Sequence, residues 1–327
     1  MNVLLELRGL RTWFESPRGT VKVLDGLDLS VERGKTLGLV GESGSGKSVT
    51  AYSILRLVRP PGRVVGGEVL FEGRDLLGLP EKEMRRVRGR EIGMIFQDPR
   101  GFLDPVTRVG RLLSEIIRTH EPISRGEAKE RARELLRSVR LPSPDRVLRA
   151  YPHELSGGMA QRAMIALALA SSPKLLIADE PTTALDVTIQ IQIVRLLADL
   201  RERLGLTIVL ITHNLSLVAE ICDDIAVMYA GEIVELGPAT EIFERPRHPY
   251  TVGLLKARPT IVDPGEQLAD IPGRVPDLLE LPPACRFEPR CFLAQPICRE
   301  DAPEIRKVAP GHCSRCHFAE RLEESAA

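Results

Sequence analysis

The sequence predicts an α/β fold, and three observations predict it. Two strongly apolar runs, "PKLLIADE" and "LTIVLITH", read as buried parallel strands, and "TIQIQIVRLLADLRERLG" between them carries apolar residues at helical spacing. A glycine-rich stretch, "GESGSGKS" at 41–48, lies between a further apolar run, "TLGLV", and a second helical pattern, "KSVTAYSILRLV". Residues 110 to 150 then turn charged and amphipathic, as helices inserted into an α/β core do.

In chain order, "LLELRGL" and "VKVLDGLDLSV" predict strands that lead through "TLGLV" into the glycine-rich loop. "GEVLFEG" and "EIGMIFQ" predict two more strands, and "RLLSEIIRTH" and "RGEAKERARELLRSVRL" predict the inserted helices. After Gly237-Pro238 a short helical stretch, "ATEIFERP", is expected. Beyond about residue 258 proline and glycine become frequent, in "RPTIVDPGEQLADIPGRVPDLLELPPAC", so the main boundary is placed between 240 and 260 and the tail is expected to be loop-rich.

Acidic and basic residues cancel at 45 each over 327 residues, which argues against a protein that coats nucleic acid or an anionic membrane. The N-terminus "MNVLLELRGLRTWF" lacks the pattern of a secretory signal, and no apolar run approaches roughly twenty residues, so a soluble cytoplasmic protein is expected. Thiols there are held reduced. Five of the 6 cysteines lie between Cys285 and Cys316, and in that setting they read as metal or cluster ligands, or catalytic thiols, before disulfides.

The stretch from Gly41 to Ser48 fits G-x-x-x-x-G-K-[ST] at every fixed position. Glycines let the backbone curl until its N–H groups point at phosphate oxygens, and the helix N-terminus adds its positive end. Lys47 would reach the β- and γ-phosphates and Ser48 would offer a hydroxyl to Mg²⁺. Gly41, Ser43, Gly44, Ser45, Gly46, Lys47, Ser48 and Val49 are therefore the candidate nucleotide contacts. A plain glycine turn is the alternative, and the strand before and helix after weigh against it. "LLIADE" supplies the other half, with Asp179 for the Mg²⁺ shell and Glu180 to orient and deprotonate water. Glu180 merely capping the turn "PTTALD" is the competing reading.

"LSGGMAQR", Leu155 to Arg162, resembles the signature motif of ATP-binding-cassette (ABC) ATPases, and it stands in that family's order between the phosphate loop and "LLIADE". Gln97 in "IFQDP" is similar to the family's Q-loop glutamine, Ala184-Leu185-Asp186 to its D-loop, and His213 in "LITHN" to its switch histidine. The resemblance implies a P-loop ABC ATPase core over 1–240, with an antiparallel β subdomain and an inserted helical subdomain at about 105–172. It implies that Glu180, His213 and Gln97 are catalytic, Gln97 also reaching Mg²⁺. It further implies that Ser156, Gly157, Gly158 and Asp186 contact nucleotide held by a partner cassette. A single cassette thus implies a second ABC ATPase subunit, and the family's habit favours a heterodimer over a homodimer. Phe14, with Trp13 next, is the candidate to stack on adenine. Asn214 stands where the family usually has aspartate, and "DPRGFLDPVTRVG" follows its pattern only loosely.

Two cassettes in one chain, a long coiled coil or a basic surface would mark a soluble ABC ATPase acting on nucleic acid or ribosomes, and none is visible. "EIFERPRHPYTVGLLKARP" at 241–259 is similar to the segment that follows the cassette in oligopeptide/dipeptide importers, with His248 and Tyr250 expected to pack and cap. The resemblance implies an ATPase that powers peptide import through separate membrane-spanning permease subunits, fed by an extracytoplasmic solute-binding protein. Nickel or another small solute is the alternative cargo. The chain would sit peripherally on the cytoplasmic face of the inner membrane, without nucleic acid as partner.

The same family carries C-x-F-x-x-R-C, a third cysteine, then G-H-x-x-x-C. That pattern picks out Cys285, Phe287, Arg290, Cys291, Cys298, Gly311, His312 and Cys316 in a loop-rich C-terminal domain spanning 241–327. It implies a [4Fe–4S] cluster on Cys285, Cys291, Cys298 and Cys316, with Cys313 as alternative fourth ligand and zinc as alternative metal. Cys222 is expected to be a small buried apolar residue.

Overall fold

The computed structural model describes residues 2–257 and 271–324, which divide into two units: one from 1–31, 35–77 and 212–327, the other from 32–34 and 78–211. Residues 258–270, the centre of the proline- and glycine-rich stretch, lie outside the described residues.

In the first unit, Val3–Ser16 is flanked by Gly19–Glu32 on one side and by Gly62–Phe71 and then Arg74–Asp75 on the other. Leu4, Leu5, Leu7 and Leu10 are all buried, so this strand is covered along most of its length. A second group of strands is built around Thr36–Val40, every residue of which is buried. It runs parallel to Asp224–Tyr229, which pairs antiparallel with Glu232–Pro238. Two short tail strands continue the series: His312–Ser314 pairs with Glu232–Pro238, and Arg306–Ala309 pairs with His312–Ser314. The cysteine-containing tail thus covers a strand edge of this unit. Helix Lys47–Ile54 is shorter than its apolar spacing suggests, because Arg56 adopts the left-handed conformation at φ 52° and ends the run. Helix Leu215–Ile221 packs on Thr36–Val40 so closely that a Cβ at Gly38 would stand 2.6 Å from Val218 and 3.0 Å from the Cys222 sulfur. Cys222 is the buried small residue expected.

The second unit holds the parallel strands Ile92–Ile95, Leu175–Asp179 and Thr207–Thr212, the last residue of which falls in the first unit. Almost every side chain on these strands is buried on both faces, so they read as continuous apolar runs. Helices Val109–His120, Arg125–Ser138, Pro144–Arg149 and Gly157–Ala168 follow the first of them. Ser124 and Glu127 close a capping box at the start of Arg125–Ser138. Helix Val187–Leu204 begins at the Asp186 cap and stops at Gly205, whose left-handed φ of 64° costs glycine little.

Candidate functional site

The phosphate loop lies in the first unit and is shaped by two glycines at which any side chain would be strained. Gly41 has φ 153°, and a Cβ there would stand 2.1 Å from the Met228 carbonyl oxygen; Gly46 has φ 107°, and a Cβ would stand 2.8 Å from the Met228 Cε. The Ser45 N–H donates to Glu42 O at 3.3 Å and the Thr50 N–H to Gly46 O at 2.9 Å, closing the loop onto its helix. Lys47 is buried, and its ammonium donates to the carbonyls of Gly41 and Glu42 at 2.8 Å each. No side chain caps helix Lys47–Ile54 and no acid stands in its first turn, so an anion meets neither a competitor nor a repelling charge there. Of the predicted contacts, Ser43 and Gly44 are exposed, Ser48 and Val49 half-buried, and Gly41, Ser45, Gly46 and Lys47 buried.

In the second unit, strand Leu175–Asp179 buries Leu175, Leu176 and Ile177, each contributing about 1.5–3 kcal/mol, and so fixes the acids at its end. Asp179 is buried. Glu180 has a left-handed φ of 44°, and its N–H donates to Ile211 O at 2.9 Å. That turn aims the carboxylate out of the strand line: Oε2 accepts from the Gln97 amide at 3.0 Å and from the Thr183 hydroxyl at 2.8 Å. The sequence places Gln97 and Glu180 in one site, and the structure brings them into direct contact. Thr183 was not anticipated; its place three residues after Glu180, in a turn, is the signal that would have found it.

The signature and D-loop segments share one concavity of about 390 Å³, lined by Ser156, Gly157, Gly158, Leu185 and Asp186 among others. Ser156 caps helix Gly157–Ala168 and Asp186 caps Val187–Leu204 by accepting from the Ile189 N–H at 2.9 Å. Glycine fits closely here: a Cβ on Gly157 would lie 3.3 Å from the Leu185 side chain, and one on Gly158 would lie 3.1 Å from the Ile189 side chain. Arg162 stands at the rim and donates to Val139 O and Gln192.

His213 is exposed just after strand Thr207–Thr212 in the first unit, and Asn214 behind it caps Leu215–Ile221 by accepting from the Ser216 N–H at 3.0 Å. Aspartate would cap equally well, so the departure at Asn214 leaves the local backbone unaltered. Phe14 is half-buried opposite Gly62, whose missing side chain leaves room for the ring. Trp13 carries the Lys22 ammonium 5.2 Å from its ring centre.

The tail meets the phosphate loop inside the first unit. Phe287 packs against Tyr229 at 5.1 Å and Tyr250 at 5.4 Å between ring centres. His248 caps helix Pro249–Lys256, its Nδ1 accepting from the Tyr250 N–H at 3.1 Å, and burial lowers its pKa to about 3, which keeps the ring neutral. Capping and packing were expected of these residues; a contact with the phosphate loop was not. The Tyr250 hydroxyl accepts from the Glu42 N–H at 2.8 Å. Further on, His312 and Glu235, both fully buried, pair at 2.7 Å, and Glu235 also accepts from the Arg247 N–H.

Among the described residues no three His, Cys, Asp or Glu side chains converge closely enough to hold a metal ion. This counts against the expected [4Fe–4S] cluster on Cys285, Cys291, Cys298 and Cys316 and against the zinc alternative alike, since either needs its ligands gathered around one point. Burial pushes the Cys291 thiol up to about 12 and Cys316 up to about 11, and it raises Cys285 as well. The Phe318 N–H donates to the Cys316 sulfur at 3.4 Å, and the Cys285 N–H donates to the Cys298 carbonyl at 3.1 Å. Cys313 sits in strand His312–Ser314 opposite Leu236.

Residues 24–183 match the family model of the ABC transporter, and residues 234–298 match that of the oligopeptide/dipeptide transporter C-terminal region. The chain is 52% identical over 318 residues to a probable peptide ABC transporter ATP-binding protein, y4tR, of Sinorhizobium fredii, covering 96% of this chain and 95% of that one. It is 51% identical over 311 residues to the oligopeptide transport ATP-binding protein OppD of Bacillus subtilis, covering 94% and 87%. Against OppD of Salmonella typhimurium it is 48% identical over 315 residues, covering 96% and 93%. Among solved structures it is similar to the dimeric bacterial ABC transporter cassette MJ0796, with TM-score 0.66 and 28% identity over 72% of this chain and 99% of that one. It is also similar to cbiO1 of Clostridium perfringens, with TM-score 0.64 and 27% identity over 74% and 91%.

Proposed function

The chain belongs to the ABC transporter family, in the branch that carries the oligopeptide/dipeptide C-terminal region, and on that premise we propose that it is the ATP-hydrolysing subunit that powers peptide import through separate permease subunits. The observation that carries the reading is the held carboxylate of Glu180. Gln97 and Thr183 both donate to the same oxygen, which orients the group as a base for an attacking water.

Lys47 turns from the carbonyls it now holds to the β- and γ-phosphates, and the uncapped helix start takes phosphate oxygens. Ser48, Asp179 and Gln97 are the residues that would hold Mg²⁺, which neutralises charge on the phosphate oxygens when bound. His213 holds the γ-phosphate, and Phe14 stacks on adenine. Ser156, Gly157, Gly158 and Asp186 present a second small-residue surface to the nucleotide of a partner cassette; the concavity they share supports this. A related but different ATPase subunit is the favoured partner, with an extracytoplasmic solute-binding protein supplying peptide. Among the described residues no helix is long and apolar enough to cross a membrane, so attachment at the cytoplasmic face runs through the permease.

Cys285, Cys291, Cys298 and Cys316 are the residues that would hold a [4Fe–4S] cluster. What supports this is the cysteine pattern the chain shares with oligopeptide/dipeptide importers, three cysteines of which lie in the segment 234–298 that matches that family's model.

The test is the Glu180→Gln variant in the complex purified from detergent-solubilised membranes. It is expected to bind ATP, stay associated with its partner cassette and hydrolyse roughly 10² to 10³ times more slowly. Unchanged turnover would remove Glu180 from the chemistry, and recovery of the chain with ribosomes or DNA instead of permease subunits would overturn the transporter reading.

A further inference from the structure

Glu42 occupies a position that the phosphate-loop pattern leaves open, yet every polar part of it is held. Its carboxylate accepts two bonds from the Arg290 guanidinium, at 2.7 and 3.0 Å. Its N–H donates to Tyr250 and its carbonyl accepts from Lys47. Arg290 is itself fixed: its side chain is 4% exposed, it donates to Pro272 O at 3.0 Å and Ile271 O at 3.1 Å, and its guanidinium lies over the Tyr229 ring. A fork with that many fixed bonds positions its partner rather than merely neutralising it.

A second arginine of the same tail grips the other half of the loop. Arg286 donates to Ala230 O at 2.6 Å and is held by Asp25 and Glu232. The next residue, Gly231, donates its N–H to Ser45 O at 2.9 Å. Arg286 follows Cys285 and Arg290 precedes Cys291 in sequence, so both braces grow from the cysteine segment.

We propose that Arg290 is a positioning residue for nucleotide binding: it fixes Glu42, and with it the carbonyl that Lys47 rests on, while cancelling a carboxylate that would otherwise face the incoming polyphosphate. A tail that needed only a staple to its own unit could have used any acid on the surface. Here the bond falls inside the phosphate loop and leaves Ser43 and Gly44 exposed for the ligand. The inference rests on the reading of Gly41 to Ser48 as the ATP site.

The measurement is the affinity of the full chain for the non-hydrolysable analogue AMP-PNP with Mg²⁺, by calorimetry. Arg290→Gln is expected to weaken binding about tenfold, an uncompensated carboxylate and a loosened loop acting together. Adding Glu42→Gln to it is expected to recover about threefold, because the repelling charge is gone; a purely structural staple shows no such rescue. Arg290→Lys, which keeps charge and volume but not the fork, is expected to bind about threefold more weakly than wild type and serves if Arg290→Gln does not fold. Arg299→Gln, removing the ion pair between the exposed Arg299 and the half-buried Glu288, should leave the affinity unchanged. Wild-type affinity in Arg290→Gln or Arg290→Lys overturns the proposal, as does a loss that Glu42→Gln leaves unrelieved. Failure of the wild-type chain to bind AMP-PNP would instead overturn the ATP-site reading.

Discussion

The Gln97 side-chain amide donates to the Glu180 carboxylate at 3.0 Å, on the same oxygen that accepts from Thr183 at 2.8 Å. Because the two donors share one acceptor, removing either leaves the carboxylate oriented by the other. Gln97→Ala is expected to lower ATP turnover about tenfold, and Gln97→Ala with Thr183→Ala further than either alone. Phosphate release by the purified complex, with binding of ATP measured separately, checks both.

Lys47 is buried against the carbonyls of Gly41 and Glu42, so its loss removes a cation that the loop is built around. Lys47→Ala should weaken ATP binding at least a hundredfold while the thermal midpoint moves only a few degrees. Equilibrium binding and thermal unfolding of one preparation separate the two effects.

Gly41→Ala is expected to destabilise the first unit by about 3 kcal/mol or more, since its Cβ would sit 2.1 Å from a backbone oxygen that cannot swing aside. Gly26→Ala is the comparison: φ is 88° there too, but nothing lies within 4 Å, so only the backbone strain of about 1–2 kcal/mol applies. Urea unfolding of the two variants should rank them in that order.

His248 links stability to pH. Burial holds its folded pKa at about 3, below the value of roughly 6.5 for an unfolded histidine, so the unfolded state takes up the proton first. The stabilisation is fully present above about pH 6.5 and declines as pH falls from there toward the folded pKa. Between pH 6.5 and 5.5 this one group removes about 1 kcal/mol. His248→Asn, which can still cap the helix but does not titrate, should flatten that part of the stability profile; an unchanged slope would exclude His248 as its source.

Iron and sulfide analysis after anaerobic purification checks the cysteine assignment. Cys316→Ala should abolish bound iron, and Cys313→Ala should leave it within error of wild type. The reverse result would hand the fourth position to Cys313.

Much of this architecture is legible in the sequence because the signals are local. "TLGLV", "LLIAD" and "TIVLIT" are mostly apolar, with polar residues only at their ends, and the structure buries every residue of them. The fixed positions of "GESGSGKS" name the loop because only glycine tolerates the φ of 153° at Gly41 and 107° at Gly46. Helix Lys47–Ile54 runs shorter than expected, since apolar spacing carries no mark of the left-handed turn at Arg56. The tail strands Arg306–Ala309 and His312–Ser314 are too short for any alternation to show, and their partner strand lies far back in the chain. The grip of Arg290 on Glu42 spans 248 residues, and nothing in either neighbourhood announces the other. Arg290 was visible only as a fixed letter in a cysteine pattern, and Tyr250 only as a packing residue.

That long span sets an order on biosynthesis. A ribosome delivers Gly41 to Ser48 well before residue 290, which follows 242 residues after Ser48. Until then the nascent cassette has its phosphate loop without the arginine fork, and the outer edge of Glu232–Pro238 waits for His312–Ser314. A chain cut short before residue 290 carries every residue of the loop and lacks the arginine that holds Glu42.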